Sequence, residues 1–490
     1  METQNQQYRK MTETNISKLI LSLAIPTVIS MLITSVYNMA DTFFVSQLGA
    51  SASGAIGIVF SLMAIIQAVG FTLGMGSGST ISRLLGEQKT KEAERIAVSG
   101  FLASIVFGAL LLVFGLYYLE NLMKLLGSTA TILPYACEYG RYILLAAPVM
   151  AASFVLNNLL RAEGKAGLAM FGITAGGILN MVLDPIFIFG LGLGISGAAI
   201  ATALSQCVSF GILLSHYLRK KTILGLHIKN ASKEPETYMM IMKNGFPSFC
   251  RQGLASVSTV ALNINAAVYG DAAVAAMSIV GKIFLLIFSM LIGFGQGYQP
   301  VVGYNYGAGK YDRVKEAFFF TLKVGIGIMT SLGILGFFMA NIIIGWFIAN
   351  DQEVIAIGVR ALRAQCIVMP LMSLGVVCNM TFQSIGKAWT ATFLSSTRQG
   401  IFFLPFIIAL PPILGMTGVE ITQPAADLCN FFCCLPFAIS FLSSLKAKEE
   451  IGYVDAREES AQNGGREIWE EAERKEENGA DELADTDCGR

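Results

Sequence analysis

The sequence predicts an all-α integral membrane protein: 12 transmembrane helices in two pseudo-symmetric six-helix bundles, with both termini cytoplasmic. Three observations carry that expectation. Of the 490 residues, 54% are hydrophobic and 14% charged, with a mean hydropathy of +0.60, whereas soluble domains are about 25% charged. Apolar runs recur at the length of about 20 residues that a helical span needs. And motifs of the first half return in the second at a nearly constant spacing.

Taken in order, the runs are 17–45, 53–81, 96–118, 134–159, 166–191, 195–218, 239–268, 274–302, 317–348, 354–384, 388–411 and 416–445. Every second connection is basic: Arg9, Lys10 and Lys18 before the first run, then Arg83 to Arg95, Arg161 and Lys165, Arg219 to Lys243, Lys310 to Lys315, and Lys387. The alternate connections carry almost only Lys124. By the positive-inside rule the basic side is cytoplasmic. The expected organisation is a cytoplasmic N-terminal segment (1–16), an N-terminal lobe (17–218), a cytoplasmic linker (219–238), a C-terminal lobe (239–445) and a tail (446–490). Net charge is zero, yet the tail holds 15 acids against 7 bases, so it reads as a solvated, disordered acidic extension.

The repeat pairs Ile25-Pro26-Thr27 with Phe246-Pro247-Ser248, Gly49 with Gly270 and Gly70-Phe71-Thr72-Leu73-Gly74 with Gly293-Phe294-Gly295-Gln296-Gly297. It also pairs Gly86 with Gly309, Pro148 with Pro370, Gly164-Lys165-Ala166 with Gly386-Lys387-Ala388, and Gly194 and Gly197 with Gly415 and Gly418. An even number of spans per copy makes the copies parallel, facing each other across a crevice.

Asn180-Met181-Val182-Leu183-Asp184-Pro185 places a carboxylate inside a run that could otherwise cross a membrane. A charge there is costly unless paired, hydrated or ligating, which marks it as functional. Asn180 and Asp184, four apart, share a helical face, and Pro185 has no N–H for the carbonyl of Met181. Acceptors without donors suit a hard monovalent cation or a shuttled proton. The nine cysteines form no C-x-x-C pair and read as small apolar residues, so no metal site is expected. His216 and His227 fall at the basic loop and read as surface residues. No cleavable signal peptide is visible. No nucleotide-binding loop or zinc-protease motif points to an enzyme.

Pro26 in the first span, Tyr-Asn-Met-Ala-Asp-Thr-Phe-Phe-Val-Ser at 37–46, Gly-Glu-Gln at 86–88, Arg-Ala-Glu-Gly-Lys-Ala at 161–166, Leu-Asn-Met-Val-Leu-Asp-Pro at 179–185 and Gly-x-x-Gly-Ala-Ala at 194–199 come in an order that resembles the multidrug and toxic compound extrusion (MATE) family, in its DinF-like prokaryotic branch. The resemblance covers about residues 15–445. It implies a secondary active efflux transporter of a bacterial cytoplasmic membrane, exporting amphipathic, cationic small molecules in exchange for H⁺ or Na⁺ by alternating access. It implies no cofactor and no nucleic-acid partner, with the lipid bilayer as surroundings and a functional monomer. The cation site it implies is Asp41, Asn180, Asp184 and Thr202.

Depth offers an independent check. At 1.5 Å per residue, Asp184 lies about 27 Å from a cytoplasmic start near 166, Asp41 slightly further from its own start, and Thr202 about 10 Å below an outer start near 195. All fall in the outer half of a core about 30 Å thick. Met181, Phe154, Phe288, Arg251 and Arg398 are candidate residues of the substrate crevice, and Pro26 and Pro185 candidate hinges. Asp41 has no acidic mate in the second half, and Glu420 and Asp427 receive no role. A lipid or oligosaccharide flippase of the same superfamily and a membrane receptor or scaffold are the alternative readings.

Overall fold

The computed structural model describes residues 2–348 and 351–462, and among these every regular element is helical. The first half comprises α1 (Glu2–Glu13), α2 (Ile16–Ser46), α3 (Ala50–Gly86), α4 (Thr90–Tyr117), α5 (Leu119–Leu125), α6 (Leu133–Ala162), α7 (Ala166–Pro185) and α8 (Gly194–Leu218). The second comprises α9 (Pro235–Ala267), α10 (Asp271–Gly307), α11 (Tyr311–Phe347), α12 (Gln352–Ser384), α13 (Ala388–Ser396), α14 (Phe403–Leu414) and α15 (Met416–Gln462). Two compact units divide the chain, Met1–Ala438 and Ile439–Arg490.

Among the described residues, 11 helices are long and apolar enough to cross a membrane. The run expected at 239–268 is present as α9, 33 residues long, but Arg251, Gln252, Asn263 and Asn265 hold its hydropathy down. The tail departs from expectation as well. Residues 446–462 continue α15 as helix, because Lys446-Ala447-Lys448-Glu449-Glu450 are strong helix formers and neither Pro nor Gly intervenes after Pro436 until Gly452. The rest of the expected extension, 463–490, lies outside the described residues. His216 proves buried on α8 rather than at the surface, while Cys207 is exposed and Cys366, Cys378 and Cys434 are buried, all of them free thiols.

Each half has its own apolar core. One gathers Ile66, Ile143, Met150 and Ala199 from α3, α6 and α8; the other gathers Met329, Leu362, Met369, Phe403 and Ala426 from α11, α12, α14 and α15. The halves meet through α3 on α9 and α10 on α2, two pairings that exchange when the halves are exchanged, and through α3 on α10. Glycine lets these backbones touch. A Cβ on Gly76 would sit 2.1 Å from the Ile241 carbonyl oxygen, on Gly245 1.8 Å from that of Thr72, and on Gly297 2.4 Å from Cα of Ala24. All these approaches lie toward the basic connections; farther along α3 and α10, Gly57 and Gly281 have nothing within 4 Å.

The same contacts correct the register of the repeat. Gly86 faces the Tyr304 carbonyl and Gly307 faces that of Arg83, a reciprocal pair at a spacing of 221. The mate of Gly86 is therefore Gly307, not Gly309, and the mate of Gly297 is Gly76, not Gly74. Gly309, with φ +71°, corresponds to Gln88, with φ +60°. Because α3 carries glycine at 70, 74, 76, 78 and 86, glycine spacing alone admits neighbouring registers. Elsewhere the expected pairing coincides with conformation: Gly164 (φ +76°) and Gly386 (φ +83°) both make left-handed turns.

At the basic end α1 joins both halves. Gln4 donates to Thr90 and Gln7 to the Glu163 carbonyl (2.8 Å), while Asn305, Lys310 and Arg313 donate to the carbonyls of Met11 (3.0 Å), Thr12 (3.1 Å) and Thr14 (2.6 Å). The linker is also held, with Ser232 N–H donating to Ser99 (2.9 Å) and Ile223 N–H to Glu163 (2.8 Å).

Candidate functional site

Asn180 and Asp184 stand one helical turn apart on α7, which ends at Pro185 and passes into a π-turn over Ile186–Gly190. The missing proline N–H is what loosens the hydrogen-bond ladder there. Asn180 Nδ2 donates to Asp184 Oδ1 (3.1 Å) and to Thr202 Oγ1 on α8 (3.2 Å). Asp41 on α2 is reached from α6, where the Tyr139 hydroxyl donates to its Oδ2 (3.2 Å). With α6 packed on α8 and α2 on α7, four helices converge on one polar cluster.

Burial is nearly complete on α7 and α8, with Asp184 0% exposed, Asn180 2% and Thr202 3%, while Asp41 is half-buried with its Oδ1 shielded from solvent. Each carboxylate has one oxygen held by a neutral donor and one without a partner. Asp41 Oδ1, Asp184 Oδ2 and Asn180 Oδ1 are buried acceptors lacking any hydrogen bond. Among the described residues no lysine or arginine forms an ion pair with either carboxylate. Leaving such groups unpaired in low dielectric is costly, and a proton or a small cation is the chemistry that would relieve that cost. No group of three or more His, Cys, Asp or Glu side chains able to hold a metal occurs among the described residues.

Sequence reasoning missed Tyr139 and the buried Tyr37. The depth argument could have found Tyr139: it lies six residues into α6, about 9 Å from the helix start and level with Thr202. Tyr37 is one turn before Asp41 on α2.

Glu420 and Asp427, without a role in the sequence, each find an arginine. Arg398 Nε donates to Asp427 Oδ1 (2.6 Å), joined by Gln423 Nε2 on Oδ1 (3.0 Å) and Gln365 Nε2 on Oδ2 (2.7 Å). Arg360 grips Glu420 through Nη2 (2.7 Å) and Nε (3.1 Å). The Arg398 guanidinium also covers the rings of Phe288 (4.4 Å) and Phe284 (5.2 Å). Of the five crevice candidates, Phe288 and Arg398 are thus in contact with each other. Phe154 packs at a tilt against Phe71 (ring centroids 5.1 Å), Arg251 donates to Asn379 (3.2 Å), and Met181 is half-buried on α7. Pro26 lies within an unbroken α2.

One carboxylate outside the spans also stands out. Glu163, fully buried beyond the end of α6, is pushed up to about 7 by burial, opposed by Lys165 3.7 Å away and by the N–H groups of Ile223 and Leu224.

The MatE family model matches residues 26–186 and again 247–408. The multidrug export protein MepA of Staphylococcus saprophyticus is 26% identical over 408 residues, covering 83% of this chain and 90% of its own. A crystal structure of MATE in complex with MaL6 superposes with a TM-score of 0.86 at 26% identity, covering 90% of this chain and 99% of that one. An outward-facing conformation of a multidrug resistance MATE family transporter gives 0.85 at 27% identity, over 90% and 98%.

Proposed function

The chain belongs to the MatE family, and from that membership we propose that it is a secondary active multidrug exporter of a bacterial cytoplasmic membrane, trading amphipathic, cationic compounds for H⁺ or Na⁺. The observation that carries the coupling is the pair of carboxylates, Asp41 and Asp184, each with one oxygen held and one free. Two such groups in low dielectric do not both stay ionised and empty. The proton or cation they take up is the driving ion, so no cofactor is needed.

In this reading α9 is the twelfth span, its polar residues turned to protein through Arg251 on Asn379 and Ser258 on the Gln399 carbonyl. Basic connections and both termini face the cytoplasm. The lobes span 17–218 and 239–445, joined by the linker 219–238, and two family matches offset by 221 and 222 residues support that division. Close packing at the basic end corresponds to a crevice shut toward the cytoplasm. Ion uptake by Asp41, Asn180, Asp184 and Thr202 rearranges the N-terminal lobe, with Pro26 and Pro185 as points of bending. Substrate then leaves outward, and ion loss inward resets the site. Met181, Phe154 and Phe288 supply apolar wall to the crevice.

The test is uptake of a fluorescent cationic dye by inverted vesicles under an imposed proton or Na⁺ gradient. Wild type should concentrate the dye, and Asp41→Asn, inserted and folded, should fall by at least about tenfold. Export by Asp41→Asn at the wild-type rate would remove the site assignment.

A further inference from the structure

Arg161, at the basic end of α6, is 5% exposed and sits where the lobes meet. Its Nη2 donates to Asn158 Oδ1 (2.5 Å) in its own lobe and its Nη1 to Gln296 Oε1 on α10 in the other. Both partners are neutral, and among the described residues no carboxylate lies within ion-pair distance. A small cavity of mixed lining, with Asn158, Arg161, Gln296 and Gln299 beside Met75 and Pro300, opens next to it, with room for about one water. A buried cation without a counter-charge is among the costliest groups a protein can keep.

The second lobe shows that the cost is avoidable. Asn157 Nδ2 donates to the Ala169 carbonyl (3.1 Å) and Asn379 Nδ2 to that of Ala391 (2.7 Å), a match at a spacing of 222. That spacing makes Gln383 the mate of Arg161. Gln383 Oε1 accepts from Gln299 Nε2 (3.2 Å), and its Nε2 donates to Ser248 Oγ (2.9 Å) and the Asn244 carbonyl (3.1 Å). A neutral amide therefore serves the packing at this place in the fold, and what Arg161 adds is charge.

We propose that Arg161 is the residue that bars the coupling ion from crossing the closed basic end: a fixed positive charge at the water-sized cavity there, repelling H⁺ and Na⁺ while the lobes are shut. Arg161 lies 22 residues beyond Tyr139 on α6, about 33 Å along the helix. It thus stands between the carboxylate cluster and the side to which the ion must be released. Water-sized cavities with polar groups in their lining are where protons leak, and an arginine beside such a passage excludes cations electrostatically. When the lobes part, Arg161 loses Gln296 and gains water, so the barrier falls in the state that must let the ion through. The inference rests on the export reading and extends it from uptake of the ion to its containment.

The experiment measures substrate-independent H⁺ and Na⁺ flux into vesicles carrying wild type, Arg161→Gln, Arg161→Lys or Gln296→Leu, each verified as folded by its melting profile. Arg161→Gln should raise the flux about tenfold, the scale of removing one like charge at low effective dielectric. Arg161→Lys, which keeps the charge, and Gln296→Leu, which removes only the hydrogen-bond partner, should stay near wild type. Arg161→Gln vesicles as tight as wild type, or Gln296→Leu leaking as much as Arg161→Gln, would overturn the proposal. Dye export by wild type is scored in parallel: if it is absent while Arg161→Gln leaks, the export reading falls and the barrier stands.

Discussion

Asp184 and Asp427 are both fully buried carboxylates, the first on α7 of one half and the second on α15 of the other, yet they live under opposite conditions. Asp184 receives one neutral amide and keeps a free oxygen. Asp427 receives an arginine and two glutamines. A carboxylate whose charge is already neutralised by a fixed guanidinium has little to gain from a proton or a sodium ion. The countercharge differs between the halves: Arg398 stands 2.6 Å from Asp427, whereas among the described residues no lysine or arginine pairs with Asp184.

The comparison breaks first at the ion pair. Asp427→Asn leaves Arg398 buried without its counter-charge and should cost about 3–5 kcal/mol of stability, seen as a lower melting temperature in detergent. Replacing both, Arg398→Leu with Asp427→Leu, should recover most of that loss. If the single variant melts like wild type, the C-terminal pair is not what holds that lobe together.

Glu163 sharpens the contrast, since its mate at a spacing of 222 is the apolar Ile385. Its carboxyl is raised from 4.5 to about 7 in the folded protein by burial. The sign follows from linkage: the folded state holds the proton more tightly, so its stabilising effect is full below about pH 4.5 and is lost as pH rises through about 7. Glu163→Gln should flatten this slope, a difference of up to about 3 kcal/mol at neutral pH, read from melting temperature against pH. An unchanged slope would clear Glu163 of the pH dependence.

Closure at the basic end comes next. Gly245 is matched at a spacing of 221 by Ala24, which carries a Cβ because it faces Gly297; Gly245 faces the Thr72 carbonyl and has no such room. Gly245→Ala should therefore overpack by about 1–3 kcal/mol and loosen the closed end. A cysteine at Ser82 should then become reactive toward an impermeant thiol reagent from the basic side. Continued protection would show that the interface yields elsewhere.

The smallest expected effect sorts the ion. Thr202→Ala removes a neutral oxygen while both carboxylates remain, so proton-driven dye export should change by no more than a few-fold, whereas a sodium site would lose a ligand and much of its affinity. Equal loss under both gradients would point to a packing role for Thr202.

Much of this arrangement was readable from the chain alone, for reasons of period and cost. The spans show in hydropathy because lipid imposes length, and Asp41 and Asp184 show because nothing in their runs compensates them. Arg398 and Asp427 were harder: 29 positions apart, each registers only as a separate penalty, and their pairing exists only once α15 folds against the turn before α14. Tyr139 was hidden because an aromatic near a span end is ordinary. The repeat register slipped by two residues where glycines crowd α3, and backbone contact, invisible in one dimension, resolved it.

Helix α1 has a kinetic meaning. Its span touches Thr90 and Glu163 in one lobe, while Asn305, Lys310 and Arg313 of the other grip its final carbonyls. In the proposed cycle, parting the lobes at that end begins with breaking these bonds whatever compound is aboard. A step that is blind to cargo sets a common ceiling on turnover, so chemically unrelated compounds should converge on one maximal rate and differ chiefly in the concentration needed to reach it.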